Sequence, residues 1–142
     1  MSGEGRVDAE LEARRLAIVL EHVAAENAQD VERAIRTFHH PRYEIMPTGI
    51  VVDGEDAVRE MLRANWAAMP GLRFSAAAVY HSADGIAVET HTEGEHNGKP
   101  VDMLSMNLFI FDEDRLVNER CYFDQITTAA ALGLTPEEGT GA

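Results

Sequence analysis

Apolar residues recur at helical spacing in the first half of the chain and alternate with polar ones in the second. Leu16, Val19, Leu20 and Val23 fall at i, i+3, i+4 and i+7, predicting a helix from about Val7 to Glu26. Asp30 reads as the N-cap of a second helix, whose Val31, Ala34, Ile35 and Phe38 repeat the spacing. That helix must stop at His39-His40, because Pro41 disfavours helical backbone in the residue before it. Arg42 to Met46 and Ile50 to Val52 read as short strands around a Pro47-Thr48-Gly49 turn. A third helix follows Asp53-Gly54, with a stripe of Val58, Met61, Leu62, Asn65 and Trp66, and ends at Pro70-Gly71. From Leu72 onward, strands run from 72 to 81 and 86 to 95, with a hairpin signal at Asn97-Gly98. The last hairpin spans 101–124, and a short apolar segment, 126–134, closes the sequence.

The last hairpin carries the strongest pattern. A two-residue turn at Glu113-Asp114 sets Phe111 opposite Leu116, Asn107 opposite Arg120, Ser105 opposite Tyr122 and Met103 opposite Asp124. One face then holds Leu104, Met106, Leu108, Ile110, Val117, Cys121 and Phe123, together with Glu119. The other mixes apolar residues with Asn107, Arg120, Tyr122 and Asp124. A single slip in register would exchange every one of these faces. Helices first and an antiparallel meander afterwards define an α+β class, with three helices burying their stripes on one side of a twisted sheet. Such a cone encloses a natural small-molecule pocket.

Composition narrows the function. The 142 residues suit one domain, expected over 7–134 with flexible tails at 1–6 and 135–142. Twenty-five acidic residues against twelve Lys plus Arg give a formal charge of −13, which argues against nucleic acid and anionic membrane surfaces as partners. Cys121 is the sole cysteine, so no intrachain disulfide forms. With no apolar leader and no membrane-length apolar run, a cytoplasmic protein is expected. No zinc-type Cys/His spacing, P-loop, GxGxxG or GxSxG is present, so neither metal nor cofactor is expected.

The phrases HPRYEIMPTG, DGEDAVREML, GEHNGKP and ERCYFDQ…ALGL resemble the NTF2-like superfamily, and within it the SnoaL-like polyketide (ester) cyclases. The resemblance runs over roughly 40–134. It implies a curved, mainly antiparallel sheet with helices on the concave side. It also implies a general acid/base at the position matched by Asp124. The fold alone does not fix the activity, since it hosts isomerases, dehydratases, epoxide hydrolases, cyclases and binding modules.

Two uses of Asp124 are open: a base whose pKa is raised by an apolar cavity, or the N-cap of the segment after it. Asn107 and Arg120 would bind a carbonyl or enolate oxygen, or form a solvated pair on an exposed face. Tyr122 would donate a hydrogen bond or pack with its hydroxyl at a rim. His91 alternates with Glu89 and Glu93, either a carboxylate-oriented base at the substrate or part of an outward, solvated face. Trp66 reads as core and pocket lining together. The expected function is a cofactor-independent cyclase or isomerase acting on a hydrophobic, polyketide-type carbonyl compound. The alternatives are a non-catalytic ligand-binding or dimerisation module and an epoxide hydrolase-like enzyme. If the polar hairpin face turns inward, the stripe of Leu104 to Ile110 is left for a homodimer interface.

Overall fold

A computed structural model describes residues 8–131 and Gly133; the expected tails, and the end of the 126–134 segment, lie outside the described residues. The elements run α1 (Ala9–Asn27), α2 (Val31–Arg36), β1 (Arg42–Met46), β2 (Ile50–Asp53), α3 (Glu55–Ala68), β3 (Leu72–Ser82), β4 (Gly85–His96), β5 (Lys99–Asp112), β6 (Arg115–Tyr122) and α4 (Gln125–Ala131). They form the NTF2-like α+β cone: one six-stranded sheet in the order β2-β1-β6-β5-β4-β3, antiparallel except where β1 pairs with β6. The first three helices match the sequence reading, and the terminal segment adds α4 as a fourth.

Local chemistry sets the boundaries. Asp8 accepts from the Leu11 amide to start α1, and Asp30 accepts from Arg33 to start α2. Gly85 and Gly94 have φ of 151° and 148°; a Cβ at Gly85 would lie 2.0 Å from the Phe109 carbonyl oxygen of β5, and one at Gly94 2.2 Å from the Gly71 carbonyl oxygen just before β3. Only glycine lets those strands approach.

The core lies between the helices and one sheet face. Val19, Ile35, Phe38, Tyr43, Val58, Leu62, Ile86, Val88, Phe109, Phe111 and Leu116 are buried together, with Trp66 and Met61 packed against them. α1 does not present the face its apolar residues predict. Leu20 is exposed, while Leu11, Arg15, Val19, His22 and Ala25 are buried. The helix is rotated because two polar side chains find partners inside.

Arg15 explains the rotation at one end. Its Nε donates to the Glu113 carbonyl at 2.7 Å, and Nη1 donates to the carbonyls of Ser82 and Ala83 at 3.4 and 3.2 Å. The guanidinium also sits 5.4 Å over the Phe111 ring. One cation thus ties the β3–β4 and β5–β6 turns to α1. Replacing Arg15 by Met removes three hydrogen bonds from a buried cation to turn carbonyls, so we expect a loss of about 3 kcal/mol in denaturant unfolding. An unchanged midpoint would refute the clamp.

Candidate functional site

The two-residue turn at Glu113-Asp114 forms as expected, with Asp112 paired to Arg115 and Phe111 to Leu116. The strand beyond it does not keep that register. Ile110 pairs with Asn118, so Val117 is an extra residue on β6. The bulge exchanges the faces of everything after it. Asn107 therefore pairs with Cys121, while Arg120 lies opposite Leu108 and Tyr122 opposite Met106. This corrects the expected grouping of Asn107, Arg120, Tyr122 and Asp124 on one face. Arg120 belongs to the outer face, where it and Arg42 hold Glu44 at 3.4 and 3.1 Å. Tyr122 is exposed there as well.

Asp124 is not in a dry cavity. It sits at the start of α4, accepting from the Thr127 amide at 2.9 Å and from the Thr127 hydroxyl, fully exposed to water. Those hydrogen bonds hold its carboxyl below the usual range, opposite to the raised affinity that the base reading requires. With Glu89, Leu104, Met106 and Tyr122 it borders an open depression of about 330 Å³. His91 points to the outer face beside Glu89 and Glu93 and pairs with Asp102 at 2.6 Å, which raises its pKa. That is the outward arrangement. Trp66 packs against the core as expected.

The bulge turns Glu119 inward, and there it meets residues the sequence reading passed over. His22 from α1 is 0% exposed and Glu119 is 5% exposed. His22 Nε2 lies 3.1 Å from Glu26 Oε1, 3.1 Å from the Tyr43 hydroxyl and 3.2 Å from Glu119 Oε2. Register explains the convergence: Tyr43 of β1 is the direct neighbour of Glu119 on β6, and Glu26 follows His22 by one helical turn. The rings of Phe38 and Phe109 close on the imidazole edge-on, at 5.3 and 5.6 Å.

Hydrogen-bond accounting assigns the protons. The Thr37 hydroxyl donates to the Ala34 carbonyl at 2.6 Å, so toward His22 Nδ1, 2.8 Å away, it accepts. Tyr43 donates to Glu26 Oε1 at 3.1 Å, so toward Nε2 it too accepts. Both ring nitrogens therefore carry hydrogen, and His22 is an imidazolium. Electrostatics agrees: burial alone would lower its pKa, but Glu26 and Glu119 outweigh that and push it up to about 10. Burial raises Glu119, opposed by the His22 charge, and raises the Tyr43 and Cys121 groups well above their usual values.

Glu119 is also held asymmetrically. Asn107 Nδ2 donates to its Oε1 at 3.2 Å, while Thr90 and Ser105 donate to Asn107 Oδ1 at 2.9 and 3.3 Å. The hydroxyls fix the amide, and the amide selects the oxygen. Oε2 is buried and has no hydrogen-bond partner among the described residues, although it lies 3.2 Å from the charged Nε2. The inner face thus carries a polar row from Ser105 through Asn107 to a carboxyl with a spare lone pair, facing a cation and a phenol. In the described residues, His22, Glu26 and Glu119 also form the one group with the spacing for a metal. Of their donor atoms, His22 Nε2 and Glu26 Oε1 are engaged in the hydrogen bonds above. A signal for His22 was present in the sequence: Val19, His22 and Glu26 share a helical face at i, i+3 and i+7.

Residues 19–119, more than half of the sequence, match the model of the SnoaL-like domain, and the chain belongs to that family. The sequence matches no curated protein. It is similar in structure to a Jannaschia sp. CCS1 protein assigned as a SnoaL-like polyketide cyclase, with TM-score 0.77 and 18% identity, covering 90% of this chain and 97% of that one. TerC, crystallised with polyporic acid, gives 0.76 and 13%, covering 84% and 98%. A phenazine biosynthesis-related protein of Pseudomonas aeruginosa gives 0.72 and 19%, covering 88% of each. At these identities the similarity establishes the fold. No helix among the described residues is long and apolar enough to cross a membrane.

Proposed function

We propose that the chain is an enzyme of the cyclase or isomerase type, acting on a small, largely hydrophobic carbonyl compound by proton transfer at Glu119. The observation that carries this reading is the spare Oε2 lone pair of a buried carboxyl, set between an imidazolium and a phenol. Oε2 takes a proton from the carbon beside the substrate carbonyl: a C–H bond breaks, an O–H bond forms, and the electron pair moves onto the carbonyl oxygen. His22 and Tyr43 are the donors available to that oxyanion in a site sheltered from water. Returning the proton to another carbon completes an isomerisation. Attack of the carbanion on a second carbonyl, whose alkoxide then recovers the proton from Glu119, completes a cyclisation.

A planar phenol or naphthol mimics the enol and tests the reading without a known substrate. Binding followed by fluorescence should weaken about tenfold in Tyr43→Phe, the value of one hydrogen bond to an anion. Failure of every such compound to bind would contradict the proposal.

The outer face fits a second copy of the chain. Leu104 is 57% exposed, and Met106, Tyr122 and Ile126 are exposed with it. An exposed apolar patch of this kind on a sheet is a natural isologous dimer surface. Sedimentation at low micromolar concentration should show a dimer, and the double variant Leu104→Glu/Met106→Glu a monomer of unchanged secondary structure. A wild-type monomer would refute the assignment.

A further inference from the structure

Thr37 stands between the buried cluster and solvent. It is the C-cap of α2 and one wall of an open groove of about 400 Å³ between α1 and α2, shared with Ala17, Ile18, Glu21, Arg33 and Arg36. Its hydroxyl has one hydrogen, committed to the Ala34 carbonyl, which leaves lone pairs facing His22 Nδ1. An imidazole in contact with a hydroxyl that could swing would be free to exchange its tautomers. This one is locked by the 2.6 Å bond at its back.

We propose that Thr37 is the positioning residue of the site: it keeps hydrogen on Nδ1 of His22, so that Nε2 alone gives and takes the proton shared with the carboxylates. This rests on the reading of His22 and Glu119 as the functional centre. The geometry has the form used wherever a histidine must present one chosen nitrogen, with the other ring nitrogen anchored to a fixed acceptor. The consequence is specific. After Nε2 releases its hydrogen to the oxyanion, the neutral ring must be the Nδ1–H form, with its lone pair aimed at the oxygen that received it. The ring cannot lose the wrong proton, and the donor is restored by the reverse transfer.

The groups facing His22 from each packed element are Glu26 of α1, Thr37 after α2, Tyr43 of β1, and Glu119 of β6, with Cys121 on the same inward side. Glu21, Arg33 and Arg36 face the groove beyond Thr37, and Arg33 is already paired with Glu21 at 2.7 Å. None of the groove charges touches the ring itself.

The test compares wild type, Thr37→Val and Thr37→Ser, each with ¹⁵N-labelled histidine, by following the ring nitrogens of His22 against pH. Valine matches the shape of threonine and removes the hydroxyl, both the acceptor facing Nδ1 and the donor to the Ala34 carbonyl. In wild type, both nitrogens should carry hydrogen at neutral pH, and at high pH Nδ1 should be the one that retains it. Thr37→Val should lower the proton affinity of His22 about tenfold and give a mixture of neutral tautomers, while Thr37→Ser restores the wild-type behaviour. Once a substrate is in hand, Thr37→Val should reduce kcat and leave KM unchanged. A Thr37→Val ring that titrates and tautomerises like wild type overturns this inference and spares the functional reading. A wild-type His22 that is neutral at pH 7 overturns both.

Discussion

Glu119→Gln lowers turnover by about two to four orders of magnitude and leaves the fold intact, the loss expected when a general base is replaced by its amide. The substitution is close to isosteric, so Asn107 can still donate to the remaining carbonyl oxygen. The new amide group would otherwise point its hydrogens at the Nε2 hydrogen of His22. That conflict is resolved when the imidazolium gives up its Nε2 hydrogen and accepts from Gln. The variant therefore loses the base and the cationic donor together, which places its effect toward the upper end of the range. Asp124→Asn is the informative comparison. Asp124 is exposed and spends both oxygens on Thr127, so its variant should fray α4 and retain turnover. Turnover that survives Glu119→Gln but not Asp124→Asn would restore the carboxyl favoured by family resemblance and refute the buried centre.

Stability should fall as pH rises above neutrality, because of His22. Its proton is bound more tightly in the folded chain, with the pKa pushed up to about 10, than in the unfolded one, where an ordinary imidazole applies. The contribution is fully present below about pH 6.5 and is lost as pH climbs through about 10. Across that window the native state binds about one proton more than the unfolded chain, which sets a slope of at most about 1.4 kcal/mol per pH unit. Glu119 acts in the same direction at the lower end, since burial raises its proton affinity too. Urea unfolding at several pH values from 6 to 10 measures the slope, and His22→Gln should flatten it. A wild-type stability constant over that range would show that the imidazole is not charged in the folded protein.

Periodicity carried most of the architecture. The three helices, both short strands and the two long hairpins lie where residue spacing and the Pro and Gly signals place them, because those cues are local. The faces of the last strand part from the periodic pattern at a single residue. Val117 is neither glycine nor a turn former, and nothing local marks it as the bulge that turns Glu119 inward and Arg120 outward. The α1 face was missed for a related reason. Burying Arg15 and His22 is favourable only because the turns of two distant hairpins and a carboxylate on β6 supply their partners. Sequence spacing weighs Arg and His as surface residues until those partners are known. Asp124 shows the converse: its position fits a family pattern, yet the short helix after it captures both oxygens.

The proposed function requires a ligand oxygen to bind at the buried carboxyl of β6, not at the exposed one at α4. Titrating a naphthol into ¹³C,¹⁵N-labelled protein and mapping the resonances that move tests this directly. His22, Tyr43, Asn107 and Glu119 should respond together while Asp124 and Leu104 stay still. Shifts confined to Asp124, Tyr122 and Leu104, with the His22 ring undisturbed, would contradict it.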